Sequence, residues 1–349
     1  MALLTFTDRG IHCAAGGFHI DPWRPVDRAL VTHGHADHAR PGMARYLATE
    51  AAAPVMRHRL GDIDIETVPY DRRVEIGGVA VSFHPAGHVP GSAQIRVERR
   101  GEVWVVSGDY KTTDDGLSEP FEPLACHAFV TESTFGLPVF EWRPQREVAA
   151  GIDAWWGANA AEGRVSVLGA YALGKAQRVL ASLDASIGPI LTHGAVENTN
   201  AVLRAQGYRL PDTIRVTAET KGRDHPGALV VATPSAMGGP WMRRFPGAST
   251  AFASGWMAMR GVRRRRSVDR GFVVSDHADW PGLNAAIDAT GAERVFVTHG
   301  YTSIFARWLR ERGLDAARVE TEWEGETLDD APEEPDAPQG GTEPGGGTR

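Results

Sequence analysis

Short apolar or alternating runs dominate the first 140 residues. Those at 29–32, 79–83, 93–97, 103–106 and 128–131 are bounded by glycine, proline and charged residues, the pattern of strands. From about residue 143 the pattern changes to an alternation of helical and strand-like stretches. Strands are expected at 164–168, 189–192, 229–233 and 250–254, and a helix rich in Ala, Leu and Gln over 174–183. Such βα alternation predicts a separate α/β layer built on a parallel sheet. Strand-like runs return at 271–275 and 294–298, followed by a helix over 303–312. The simplest organisation is a first unit at 1–142, an inserted unit at 143–268, and the first unit resumed at 269–328. From residue 329 onwards almost nothing apolar remains, so the segment 329–349 is expected to be disordered.

Several strands end in residues that carry chemistry. The first of these runs leads into His33-Gly34-His35-Ala36-Asp37-His38. Neutral imidazole nitrogen and carboxylate oxygen are donors for zinc and similar metals. In an extended segment His33 and His35 point the same way and can grip one metal; a following helix would aim Asp37 and His38 at a second. His88 sits in the glycine-bounded loop Pro85-Ala86-Gly87-His88-Val89-Pro90-Gly91-Ser92 and supplies a third imidazole, in preference to the strand-end His84. Asp109 and Glu132 close two further strands, and the two oxygens of Asp109 suit a bridge between metals. His277 and His299 end the resumed strands. The triplet Thr-His-Gly recurs at 32–34, 192–194 and 298–300, which makes His193, inside the insert, the rival of His299. Asp21 reads equally as a turn residue before proline and as a hydrogen-bond acceptor for one of these histidines.

Composition narrows the field. The chain has 349 residues, is 42% apolar, and contains only Cys13 and Cys126, which excludes a disulfide framework or a cysteine-rich zinc site. A reducing cytoplasm is the expected compartment. No stretch reaches the apolar length of a membrane span, and the N-terminus lacks a signal-peptide pattern. The net charge of -7 means that any nucleic-acid contact must come from a local patch.

Together these residues resemble the metallo-β-lactamase superfamily and, within it, the β-CASP nucleases. The resemblance rests on the His33–His38 motif, His88, Asp109, Glu132, His277 and His299, in that order around an insert. The text at 18–23, 107–111 and 275–280 is similar to the bacterial DNA-ligase-associated exonuclease group. The resemblance implies an α/β fold, a metallo-β-lactamase αββα sandwich carrying an inserted β-CASP α/β domain. It implies two divalent metal ions, zinc first and manganese as the alternative. One would be held by His33, His35, His88 and Asp109, the other by Asp37, His38, Asp109 and His299. Asp37, His277 and Glu132 would be catalytic, His277 assisting the leaving oxygen with Glu132 hydrogen-bonded to it. The implied activity is a DNA exonuclease acting on single-stranded ends in repair, alongside a DNA ligase and a helicase. An RNA-processing nuclease is the alternative, and an inactive scaffold subunit a third reading.

A dense basic stretch, Arg260 to Arg270, precedes His277. Arg263, Arg264, Arg265 and Arg266 are candidates for substrate phosphates, since guanidinium forks match phosphate oxygens. Lys111 and Lys175 are further candidates. Trp241 and Trp256 can stack on bases, although burial within the insert is the simpler reading.

Overall fold

A computed structural model describes residues 2–265 and 268–322, so Arg266 and the segment 329–349 lie outside the described residues. The first sheet has six strands in chain order, from Thr5–Thr7 to Ile65–Val68. The second has seven. Its antiparallel half runs from Val74–Ile76 through Val79–Pro85 and Ala93–Arg99 to Glu102–Val106. Its parallel half continues from Glu102–Val106 through Ala128–Glu132 and Arg294–Thr298 to Asp315–Arg318.

The two sheets pack face to face. Ile11, Phe18, Ile20 and Leu30 of the first meet Val81, Phe83, Ile95, Val97 and Trp104 of the second in one buried cluster. Alternation along each strand sends the other residues outward, where helices cover them. Helix Ala53–Leu60 places Met56 over Ala29, Tyr46 and Ala48 of the first sheet. Helices Trp280–Thr290 and Thr302–Glu311 place Leu283, Ile287, Phe305 and Leu309 over Val105, Phe129 and Val297 of the second. The result is the four-layer αββα sandwich expected from the sequence.

The third sheet is wholly parallel, as the βα alternation predicts. Its six strands all come from residues between the two parts of the second sheet. Ser166–Gly169, Ile190–Thr192, Leu229–Ala232 and Ser249–Ala253 match the expected runs to within two residues. Helix Lys175–Ser182 starts after Gly174, whose φ of 89° suits glycine.

One expectation fails here. The run at 271–275 does not resume the first unit. Arg270–Phe272 pairs in parallel with Ser249–Ala253 as the edge of the third sheet, and the following residues carry the chain back as a loop. The third sheet therefore extends past the expected boundary at 268. An apolar run of this length does not specify which sheet it joins; the partner strand does.

Candidate metal centre

Parallel strands point their C-terminal ends the same way. Asp109, Glu132 and His299 follow or end Glu102–Val106, Ala128–Glu132 and Arg294–Thr298, three adjacent parallel strands of the second sheet. They therefore emerge along one edge. His33–His38 enters from the matching edge of the first sheet, after Ala29–Leu30. The expected helix after His35 is only a single turn, closed by Ala39 N–H donating to the His35 carbonyl at 2.8 Å. That turn is enough to re-aim Asp37 and His38.

Two donor sets result. His33, His35, His88 and Asp109 present ligand-type atoms that lie within 4.8 Å of one another, and so do Asp37, His38 and His299. Asp109 joins the sets. Its Oδ2 lies 3.7 Å from His33 Nε2, 3.8 Å from His88 Nε2 and 3.6 Å from His38 Nε2, while Oδ1 lies 3.9 Å from His299 Nδ1. Asp37 Oδ2 is 3.6 Å from His38 Nε2 and 3.9 Å from His299 Nε2.

The outward nitrogens of four imidazoles have polar partners. His33 Nδ1 faces Thr32 Oγ1 at 3.0 Å, His38 Nδ1 faces Asp21 Oδ2 at 2.7 Å, and His88 Nδ1 faces the Asp276 carbonyl at 2.9 Å. His35 Nε2 faces the Leu173 carbonyl, from the third-sheet unit, at 3.2 Å. Each of these partners fixes a ring and leaves the other nitrogen for the shared space. The inward atoms crowd together: His35 Nδ1 is 3.1 Å from His33 Nε2 and 3.0 Å from His88 Nε2. Buried Asp109 Oδ1 accepts no hydrogen bond among the described residues. Convergent nitrogen and oxygen donors with their outer shell already satisfied fit borderline divalent metals.

Burial and the neighbouring imidazoles His38 and His88 hold His33 well below its ordinary pKa, and burial beside His277 and His35 does the same to His88. Both rings are therefore in the neutral form that donates to a metal. His38 differs: burial opposes its charge, but Asp37, Asp109 and Asp21 outweigh it and raise its pKa to about 10. Asp21 achieves its contact from a left-handed backbone, φ 43°, and His299 sits at φ 52°. Positive φ at two non-glycine residues of one site is strain that the surrounding packing must hold. Gly87 is required in the His88 loop: its φ is 74°, and a Cβ there would lie 2.2 Å from the Lys111 carbonyl oxygen.

Glu132 and His277 form a separate pair beside the donor sets. His277 Nδ1 lies 2.9 and 2.8 Å from the two Glu132 oxygens, with Glu132 fully buried. Tyr110 N–H and Thr134 Oγ1 also donate to Glu132. Burial pushes the Glu132 pKa up, but His277 and these donors bring it below its ordinary value. His277 is raised, Glu132 overcoming the cost of burial.

The two lysines read as phosphate candidates are turned inward instead. Lys111 is 6% exposed and donates from Nζ to the Ser275 carbonyl; burial and Arg178 lower its pKa to about 7. Lys175 is 1% exposed, 3.7 Å from Asp276 Oδ2 and over the Tyr171 ring; burial lowers it to about 8. Each is spent on an internal partner. Arg263, Arg264 and Arg265 are exposed on the short helix Arg260–Arg265, whose buried Val262 packs with Phe135 and Trp256. Phe135 in turn touches the His277 ring. Trp256 is buried against Phe135, and Trp241 is half-buried against His193 and Phe245. His193 caps helix Gly194–Ala205, and His84 pairs with Asp71; neither joins the donor sets.

Sequence reasoning missed Arg178. This 2%-exposed guanidinium donates to the Ser275 carbonyl at 2.6 Å and the His88 carbonyl at 3.0 Å, and pairs with Asp115 and Asp276. It ties the third-sheet unit to the loops bearing His88 and His277. The available signal was its spacing from Lys175, three residues apart and so on one face of a helix with no acidic residue.

No family model matches the chain. Among curated proteins it is 32% identical over 311 residues to a probable DNA ligase of Opitutus terrae, an alignment spanning 88% of this chain and 30% of that protein. It is 33% identical over 122 residues to endoribonuclease YSH1 of Saccharomyces cerevisiae, covering 34% of this chain and 15% of the relative. The Arabidopsis thaliana cleavage and polyadenylation specificity factor subunit 3-I matches at 28% over 221 residues, 51% of this chain and 31% of the relative. These matches are consistent with the β-CASP branch of the metallo-β-lactamase superfamily. The chain spans less than a third of the length of these relatives. A crystal structure of a protein of unknown function from Enterococcus faecalis shares the fold, with a TM-score of 0.58 at 11% identity over 84% of this chain and 79% of that one. Among the described residues no helix is long and apolar enough to cross a membrane.

Proposed function

We propose that the chain is a metal-dependent phosphodiester hydrolase, a DNA exonuclease acting on single-stranded ends. The observation that carries this reading is the pair of donor sets sharing Asp109, with the Glu132–His277 pair alongside. His33, His35, His88 and Asp109 would hold one divalent ion, and Asp37, His38, His299 and Asp109 the other. When bound, two such ions activate water and clamp a phosphodiester for in-line displacement. The donor set suits zinc and leaves manganese open.

The remaining chemistry falls to this chain's own residues. Glu132 keeps the proton on His277 Nδ1 and stabilises the imidazolium, so that Nε2 can hold a proton for the leaving oxygen. The Asp37 side chain is more exposed than those of His33, His38 or Asp109, so it would be the donor nearest to solvent and to an arriving substrate. Arg263, Arg264 and Arg265, exposed on their short helix, would neutralise phosphates of the incoming strand. DNA is favoured as substrate because the match to a protein named as a DNA ligase spans most of this chain, and cooperation with a ligase follows from the same match. The relatives named as endoribonucleases favour RNA as the second reading. End-labelled DNA and RNA of matched sequence, linear and circular, separate the two: loss of nucleotides from linear DNA alone is expected. Equal cutting of circles would make the protein an endonuclease.

Asp109→Asn is expected to weaken both metal sites, because one amide oxygen cannot replace two carboxylate oxygens. Elemental analysis showing unchanged metal content would reject the shared position. Arg264→Ala with Arg265→Ala is expected to raise KM more than it lowers kcat. It should also flatten the salt dependence of single-strand binding, by about 0.7 in logarithmic slope for each phosphate no longer neutralised. Wild-type salt dependence in that variant would leave the basic helix without a role in binding.

A further inference from the structure

The outer face of the first sheet carries a second feature. Cross-strand pairing aligns Thr5, His12, His19 and Ala29 in one row. Ala29 lies under the cover formed by Val26, Met43 and Met56. At the edge of that cover an open groove of about 440 Å³ is lined by Arg9, His12, His19, Asp27 and Arg28, among others. The alternation of the strands separates it from the metal centre: Ile11 and Ile20 point into the sandwich, His12 and His19 away from it.

The polar groups of the groove are nearly all donors. The His12 and His19 rings stack 4.3 Å apart at 21°. Two imidazolium rings so close would repel. Burial, His12 and Arg9 together lower His19 to about 4, so it is neutral and offers one N–H. Arg9 and Arg28 make no ion pair and no side-chain hydrogen bond among the described residues, whereas Arg24, Arg73, Arg96, Arg178 and Arg204 each pair with a carboxylate. Of the nearby carboxylates, Asp8 is paired with Arg24 at 3.4 Å, which leaves Asp27 as the acidic group of the lining. A cation does not fit. Two guanidinium groups would repel it, and among the described residues the two histidines have no third donor grouped with them.

We propose that this groove binds a phosphate group, held by the forks of Arg9 and Arg28 with ring N–H groups of His12 and His19 as further donors. Guanidinium matches the planar pairs of phosphate oxygens, and charge-assisted bonds at a partly screened site outlast those on open surface. Its size admits a single nucleotide unit. The phosphate comes either from a flanking position of a nucleic-acid strand or from a free nucleotide or inorganic phosphate. The site does not depend on the hydrolase reading, since no donor set of the metal centre contributes to it.

The test reads the imidazole resonances of the full metal-loaded protein, with His12 and His19 assigned by His12→Asn and His19→Asn. Inorganic phosphate, a deoxynucleoside monophosphate and a phosphorothioate single strand are titrated in turn. Saturable shifts of His12 and His19 are expected, weakened about tenfold or more in Arg9→Gln with Arg28→Gln. Both arginines lack internal partners, so that variant should fold and melt as the wild type does. Response to the small ligands alone assigns the site to free phosphate or nucleotide; response to the strand as well assigns it to a flanking position. Shifts that persist undiminished in the double variant, or no shift with any of the three, would overturn the proposal. Loss of hydrolysis with the shifts intact would count against the hydrolase reading only.

Discussion

His277→Ala is expected to lose turnover by roughly 10²–10⁴-fold while retaining its metal. The two ring nitrogens of His277 are not equally available. Nδ1 is taken by both oxygens of Glu132, and Glu132 is itself held by Tyr110 N–H and Thr134 Oγ1. Only Nε2 is left for substrate. Asp109, Glu132 and His277 also lie close enough to be read as a third donor group. However, Glu132 is committed to His277 and to two further donors, a poor arrangement for a ligand and a good one for orienting an acid. Removing His277 leaves a buried carboxylate without its cation, which costs stability. His277→Asn preserves one donor to Glu132 and keeps the test interpretable if the alanine variant melts early. Glu132→Gln should lose less, about 10–10²-fold, because the ring stays placed while its imidazolium is no longer stabilised. Elemental analysis separates the outcomes: loss of metal from His277→Ala or His277→Asn would make His277 a ligand rather than the acid.

The donor sets were legible because of spacing and strand ends. His33-Gly34-His35-Ala36-Asp37-His38 has too many coordinating groups in six residues for an ordinary loop. Asp109, Glu132 and His299 each follow an apolar run, and parallel pairing then brings them to one edge. The parallel third sheet follows from the same short runs, and the sandwich from the family resemblance that the motif residues carry. What escaped was whatever depends on long-range placement. Arg270–Phe272 joins the third sheet because Ser249–Ala253 offers a free edge, a fact no local pattern contains. Lys111 and Lys175 carry the same side chain whether they face solvent or a buried carboxylate, and the Asp276 and Ser275 that capture them lie 100 residues or more away in sequence. Asp21 left two readings open, and the structure shows the one in which it grips His38 and Thr32 together. The histidine rivals separate by the same logic: His193 follows a strand of the third sheet, and His299 follows one of the second.

Arg178→Met is expected to destabilise the protein by about 3–5 kcal/mol, the cost of breaking a buried ion pair from one side. The methionine fills most of the volume, so the loss is electrostatic. Asp115 and Asp276 have side chains only 1% and 4% exposed, and both face the guanidinium. Burial raises the Asp276 pKa, and Arg178, ahead of Lys175, is what reverses that and keeps it ionised. Without Arg178, Lys175 at 3.7 Å remains for Asp276, but Asp115 loses its partner in this network. The carbonyls of His88 and Ser275 lose donors at the same time, so the loops bearing His88 and His277 loosen together. Arg178→Lys keeps the charge but not the fork, and should recover less than half of the loss. Adding Asp276→Asn to Arg178→Met removes one stranded charge and should recover part of it. Thermal denaturation reads the stability, and metal retention during dialysis reads the loop that carries His88. If Arg178→Met melted like the wild type and held its metal equally well, the buried charge network would be neither a clamp between the third-sheet unit and the metal centre nor a source of its geometry.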